Sequence, residues 1–270
     1  MSLSEIAKTG AALLGGGLRS TRLVAGGSLS QVFLIELTDG RKAIVKGGPD
    51  PELEAEMLAA IAASGAPAPR VLAVSGDTLV MEHLAAGGSL SDAWADLGRA
   101  VATLHATTGD RFGWRRDYAF SHVAIENLQT CDWPGFWAEH RLLPHAAHLP
   151  ARLACRLEAL AGDIGNRLPD RPVASLLHGD LWTGNVLADC GRVTGLIDPA
   201  CCYGHAEVDI AMLSLFGSPS RDFFSAYGGL EPGHEERIAI YSLWPALVHV
   251  RLFGQGYEPM VARLLSVLGV

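Results

Sequence analysis

The sequence predicts an α+β chain of two unequal lobes. Residues 1–83 read as a small antiparallel-sheet lobe with one helix, and residues 84–270 as a larger, mainly helical lobe. Three observations carry this reading. Apolar and polar residues alternate with period two through LRSTRLVAGGSLSQVFLIELTDGRKAIVKGG, around a Gly pair and an Asp39-Gly40 turn. After AAGG at 85–88, which reads as a hinge, the spacing of apolar residues becomes three to four. Finally, the polar stretch HGDLWTGN at 178–185 is held between two short apolar runs, a place where scaffolds present loops to solvent.

The elements follow in order. The alternating stretch predicts an antiparallel meander. Asp50-Pro51 then opens ELEAEMLAAIAAS, a helix on which Glu54, Leu58 and Ile61 share one face and Glu56 lies on another. GAPAP ends that helix. RVLAVSG and TLVMEHL, joined at Gly76-Asp77, supply two more strands. Beyond the hinge, Ser89 with Asp92 resembles a capping box, followed by Trp94, Leu97, Val101 and Leu104 at helical spacing. Further helical patterns cover 133–148, 151–168, 207–215, 235–253 and 259–268, while GRVTGLID reads as a strand.

At 270 residues with 49% apolar composition, the chain can bury sizeable cores, and a formal charge of −8 argues against a nucleic-acid partner. Five cysteines, two of them adjacent at Cys201 and Cys202, do not form a secreted disulfide pattern. No stretch reaches the roughly 18–20 apolar residues of a membrane span, and the first residues lack a basic leader. The expectation is a soluble cytoplasmic protein acting on a small molecule, with no membrane partner.

The chemistry concentrates in the polar loop. Asp180 and Asn185 stand at the D-L-x-x-x-N spacing of a phosphotransferase catalytic loop, and Asp198 follows thirteen residues later at the end of an apolar strand. In that order Asp180 is a candidate base, needing no unusual pKa, and Asn185 and Asp198 are candidate oxygen ligands for Mg²⁺. HGD alone could equally be a capped turn; the added offsets favour the catalytic reading. In the small lobe, Gly26, Gly27, Ser28 and Ser30 could let backbone amides approach phosphates, although a Gly pair is often only a turn. Lys46 ends the strand AIVK like the phosphate-holding lysine of kinases, with Glu54 placed to pair with it. Met81, Glu82, His83 and Leu84 lie where the lobes join and could offer backbone to an adenine edge. Trp182, two residues past the candidate base, could stack on a sugar ring. His105, the Trp133, Phe136 and Trp137 cluster, and Cys201, Cys202 and His205 read as packing residues.

Together these stretches resemble the fructosamine kinase (ketosamine 3-kinase) family, relatives of aminoglycoside phosphotransferases with a protein-kinase-like two-lobed fold. The likeness rests on GGSLSQVF, ELEAEMLAAI, VMEHL, HGDLWTGNVL, LIDPACCYGHAEVDIAMLSLFG and LVHVRLFGQGY. Many antibiotic kinases of the wider superfamily have HGDxHPGN, with His where this chain has Trp182. The resemblance implies Asp180 as base, Asn185 and Asp198 as Mg²⁺ ligands, and Lys46 with Glu54 as phosphate anchor. It further implies ATP as donor and a ketosamine as acceptor, phosphorylated at its 3-hydroxyl so that the adduct falls apart and frees the amine. After FGWRRDY the family tends toward DN-x-IG-x-x-x-Q-x-N, whereas DYAFSHVAIEN keeps Asp117 and Asn127, candidate substrate contacts, but has Tyr118 and Ile125 at polar positions. Another hydroxylated amine, aminoglycoside-like or choline-like, stays open as acceptor, as does a nucleotide-binding module without transfer activity.

Overall fold

In the computed structural model, which describes residues 3–24, 31–48 and 50–270, the period-two stretch forms β1 (Leu18–Leu23), β2 (Val32–Leu37) and β3 (Lys42–Gly47). With β4 (Val71–Ser75) and β5 (Thr78–Glu82) they make an antiparallel sheet of order β1-β2-β3-β5-β4. The alternation sends Phe33, Ile35 and Leu37 to one face, where Ile6, Ala7 and Ala11 of helix α1 (Leu3–Leu13) cover them. The opposite face receives Ala55 and Leu58 of α2 (Pro51–Ser64) against Leu79 and Met81. α2 starts as its sequence dictates: the Asp50 carboxylate accepts the Leu53 N–H, Pro51 fills the first turn, and Gly65 at φ 89° ends it.

The second lobe is mainly helical. It contains α3 (Trp94–His105), the β6 (Tyr118–Phe120) and β7 (Val123–Ile125) hairpin, α4 (Trp133–Trp137) and α5 (Ala151–Gly162). Strand β8 (Ser175–Leu177), the β9 (Val186–Asp189) and β10 (Arg192–Leu196) hairpin, and β11 (Cys202–Gly204) follow. Helices α6 (Glu207–Phe216), α7 (Arg221–Tyr227), α8 (His234–Phe253) and α9 (Glu258–Val267) complete it. Its core is centred on Trp133, Trp137 and Tyr241, with the Trp133 indole N–H donating to the Tyr241 hydroxyl at 2.9 Å. No helix among the described residues is long and apolar enough to cross a membrane, and all five cysteines are free.

Three expectations need correction. Ser89 caps a short 3₁₀ turn at Leu90–Asp92, and α3 begins only at Trp94. The pattern over 133–148 is not one helix, because α4 gives way to a π turn at Ala138–Leu142 and then to 3₁₀ structure at Leu143–His148. Pro144 has no N–H to return to the His140 carbonyl, and the Arg141 guanidinium bonds that carbonyl instead at 3.1 Å. The pattern over 151–168 stops being α-helical at Gly162. Helices α1 and α7 and the β6–β7 hairpin were not expected.

One backbone bond ties the lobes, and two more bonds seat the 85–88 segment on the β9–β10 hairpin. The Leu196 N–H donates to Pro67 O at 2.8 Å, the Thr194 hydroxyl donates to Ala85 O at 2.6 Å, and the Gly88 N–H donates to Ala188 O at 3.0 Å.

Candidate active site

Two antiparallel pairs build the catalytic loop. β8 and β11 pair through Leu177 and Cys202, and just past them the Ala200 N–H donates to His178 O at 2.8 Å. Gly179 sits in this crossing with φ 80°, and a Cβ there would overlap the Ala200 carbonyl, so only glycine fits. The β9–β10 hairpin sets Asn185 beside Ile197, whose N–H donates to Asn185 O at 3.0 Å, and so brings Asp198 next to Asn185. His178 joins the two: its Nε2–H donates to Ile197 O at 3.0 Å, leaving Nδ1 to accept the Asp180 N–H at 3.3 Å.

Lys46 arrives from β3 and is buried. Its Nζ lies 2.7 Å from Glu54 Oε1 and 2.9 Å from Asp198 Oδ1, so β3, α2 and the end of the β9–β10 hairpin meet at one ammonium. Burial alone would push the Lys46 amine down. The two carboxylates outweigh it and hold the amine above its ordinary value, so Lys46 is a fixed cation. Asp198 adopts φ 55°, the left-handed region that residues other than glycine enter rarely, aspartate more readily than most.

Asp180 accepts from the Asn185 amide at 2.9 Å, and the same amide donates to the Asp180 carbonyl at 2.8 Å. Burial pushes the Asp180 carboxyl up to about 7, opposed by the Asn185 hydrogen bond and assisted by the negative charges of Asp198 and Asp209. An ordinary carboxylate was expected here. Taking the side chain out of water changes that and puts it near the pH at which a base works best.

Asn185 spends its amide N–H groups on Asp180, and Asp198 spends Oδ1 on Lys46. No hydrogen bond engages Asn185 Oδ1 or Asp198 Oδ2 among the described residues. Two hard, uncommitted oxygens, one of them charged, suit a divalent cation of the Mg²⁺ kind.

Lys46, Glu54, Asp180, Asn185 and Asp198 line one cavity of about 1040 Å³, together with Met81, Glu82, His83 and Leu84 on the interlobe segment. Trp182 lines it too and is 41% exposed. Its indole lies against Gly184, where any side chain would collide with the ring. Gly26, Gly27, Ser28 and Ser30 lie outside the described residues; Val24 and Val32 on either side pair at 2.9 Å and line the cavity.

Asp117 and Asn127, expected to touch substrate, do not line this cavity. The Asp117 carboxylate accepts the Asn127 N–H at 2.7 Å, while the Asn127 side chain donates to Arg116 O and accepts from Arg141 at 2.7 Å. They brace the loop leading into β6, and Tyr118, Phe120 and Ser121 line the cavity instead. Cys201 is buried with its Sγ toward Met57 O, and His205 bonds the Tyr241 hydroxyl at 2.9 Å.

Asp209 on α6 is the functional residue that the sequence reading missed. Fully buried, its Oδ2 accepts the His178 N–H at 2.7 Å and His105 Nε2–H at 3.1 Å, and its Oδ1 accepts the Gly179 N–H at 2.9 Å. His105 is fixed in turn by the Tyr227 hydroxyl on Nδ1 at 2.8 Å. Burial would raise the Asp209 carboxyl, but the His105 bond, the adjacent imidazoles and the Gly179 N–H hold it below the usual range. Asp209 thus stays charged and holds the backbone immediately before Asp180. The signal was an acid set inside the apolar run VDIAML.

The sequence model of the fructosamine kinase family matches residues 7–268. The chain belongs to the fructosamine kinase family. Membership makes it a phosphotransferase acting on a hydroxyl group. Among its relatives, a Synechocystis protein assigned as a ketoamine kinase is 34% identical over 201 residues, which are 70% of this chain and 66% of that relative. The crystal structure of a Thermobifida fusca protein assigned as a fructosamine-3-kinase superposes with a TM-score of 0.89 at 28% identity, covering 99% of both chains. An aminoglycoside phosphotransferase in ternary complex with AMP-PNP and hygromycin B shares the fold alone, at TM-score 0.65 and 16% identity over 93% of this chain and 94% of that one.

Proposed function

We propose that this chain transfers the γ-phosphoryl group of ATP to the 3-hydroxyl of a ketosamine. The observation that carries the reading is Lys46, held between Glu54 and Asp198 in the cavity that also contains Asp180 and Asn185. The interlobe segment at Met81, Glu82, His83 and Leu84 would receive the adenine. Lys46, kept in place by Glu54, would offer its Nζ to phosphate oxygens. Asn185 and Asp198 would hold Mg²⁺, which when bound neutralises charge on the nucleotide phosphates.

Asp180 accepts the proton of the acceptor hydroxyl as its oxygen attacks, and the Asn185 amide fixes the carboxylate for that task. Trp182 offers an aromatic face to the sugar. A 3-phosphoryl group on a ketosamine is a leaving group next to the ketone, so its departure lets the amine be released, and the activity amounts to deglycation. The setting fits a small-molecule acceptor and a cytoplasmic compartment.

The test is an ADP-release assay with fructosyl-lysine and ribulosyl-lysine, with and without Mg²⁺. Asp180→Asn should lower kcat by about 10²- to 10⁴-fold, the usual contribution of a general base. Unchanged turnover in a folded Asp180→Asn protein removes the assignment.

A further inference from the structure

The Tyr118 phenol opens onto the reaction centre uncommitted. The residue begins β6, is half-buried and lines the cavity, and no hydrogen bond engages its hydroxyl among the described residues.

The backbone around it is braced. Arg115 and Arg116, just before it, reach α2 at Glu56 (3.4 Å) and at Asp50 (2.6 Å). The Asp117 carboxylate accepts the Asn127 N–H at 2.7 Å, and Arg141 donates to Asn127 Oδ1 at 2.7 Å. Across the hairpin Tyr118 is the register partner of Ile125, and partners of this kind carry their side chains on one face of the strand pair. Ile125 is buried, and Phe120 meets the Tyr118 ring edge-on with centroids 6.0 Å apart. Tyr118 and Ile125 stand at the two positions where the family's pattern has Asn and Gln. Facing amides can bond each other, whereas an aliphatic side chain supports a ring and leaves its hydroxyl free for a ligand.

The ion pair at Asp50 fixes which way the segment runs. Asp50 caps α2 and Glu54 follows one turn later, so a chain clamped to Asp50 passes close to the Lys46 cluster. The charges acting on the hydroxyl are those of that cluster and of the base. Burial and the Glu54 carboxylate raise the phenol above its ordinary value, Lys46 opposes them, and Asp198 and Asp180 add to the rise. The hydroxyl therefore keeps its proton and can donate. It stands where the fields of the phosphate anchor and of the base overlap, beside the path from nucleotide to acceptor, and the group that travels this path is the terminal phosphoryl group. Donors aimed at its oxygens stabilise the charge that they carry during transfer.

We propose that the Tyr118 hydroxyl donates a hydrogen bond to an oxygen of the terminal phosphate of the bound nucleotide, which makes Tyr118 a catalytic residue for the transfer. The proposal rests on the phosphoryl-transfer part of the reading above and is independent of the ketosamine as acceptor.

Tyr118→Phe tests it, because the ring stays against Ile125 and only the hydroxyl is lost. Calorimetric titration with the magnesium complexes of AMP-PNP and of ADP separates a contact at the terminal phosphate from any other. The Kd for AMP-PNP should rise about tenfold or more, the scale of a lost hydrogen bond to a charged group, and that for ADP less than about twofold. In the ADP-release assay kcat/KM for ATP should fall about tenfold or more, with KM for the acceptor changed less than about threefold. An unchanged AMP-PNP affinity, or one weakened equally with that for ADP, overturns the proposal. So does a raised acceptor KM with intact ATP kinetics, which would put the hydroxyl on the acceptor. If the parent binds both nucleotides but phosphorylates neither fructosyl-lysine nor ribulosyl-lysine, the ketosamine reading fails, and the two titrations still decide the role of Tyr118.

Discussion

Asp209→Asn tests how the catalytic loop is held. Asp209 receives three hydrogen bonds, two from the backbone N–H groups of His178 and Gly179 and one from His105. An asparagine of the same shape can accept on one side only. With its NH₂ at the Oδ2 position it would face two donors, so the cheaper orientation puts the NH₂ against the Gly179 N–H and leaves that one donor unsatisfied. A buried unsatisfied N–H costs about 1–3 kcal/mol, and loss of the charge weakens the other two bonds by half of their roughly 1.5–3 kcal/mol each. The sum is a destabilisation of about 2.5–6 kcal/mol, within the roughly 5–15 kcal/mol typical of a domain's stability. The unsatisfied donor adjoins Asp180, whereas Lys46 and Glu54 are untouched. Urea denaturation should register the lost stability, and initial rates should show kcat reduced tenfold or more with KM for ATP changed less than about threefold. A variant within 0.5 kcal/mol of the parent by roughly the precision of such data, with full kcat, would refute the anchoring role.

Two further outcomes follow from buried charge. Glu54→Gln removes one of the two anions holding Lys46 and turns the amine wholly toward Asp198; kcat/KM for ATP should fall about tenfold or more in an ATP titration, and unaltered ATP kinetics would contradict the pairing. His145 is buried, its imidazole pushed down to about 3 by burial and by the charges of Arg251, His148 and Arg141. Unfolded, it would take up a proton near pH 6.5, so it costs stability as pH falls below 6.5, by about 1.4 kcal/mol per pH unit until the folded pKa is reached. His145→Leu should therefore gain on the parent by about 2–3 kcal/mol between pH 6.5 and 4.5 in urea midpoints, and parallel curves would rule this out.

The local parts of the site were legible because their physics is local. Lys46 ends an alternating strand, Glu54 takes the inward face of a helix opened by Asp50-Pro51, and Asp180, Asn185 and Asp198 lie within nineteen residues of one another in two turns. What was hidden depends on distant partners. Asp117 and Asn127 satisfy each other and Arg141, which a pattern cannot distinguish from readiness for a ligand. Asp209 looks like any helix acid until β8 and α6 are packed together. The Asp180 carboxyl departs from its ordinary value only because the fold removes water from around it. The break after α4 shows the same limit, since apolar spacing continues through Pro144 while the hydrogen-bond ladder does not.

The lobes are joined by more than backbone. One attachment joins Pro67 to Leu196, and the other joins the 85–88 segment to β9 and β10 through Ala85 and Gly88. Leu53, Met57 and Ile61 of α2 also belong to the larger lobe's core, and Arg116 grips Asp50 at 2.6 Å, so the lobes share packing and charge as well as those attachments. The Lys46–Asp198 contact spans the cleft from within, so separating its two walls would break it.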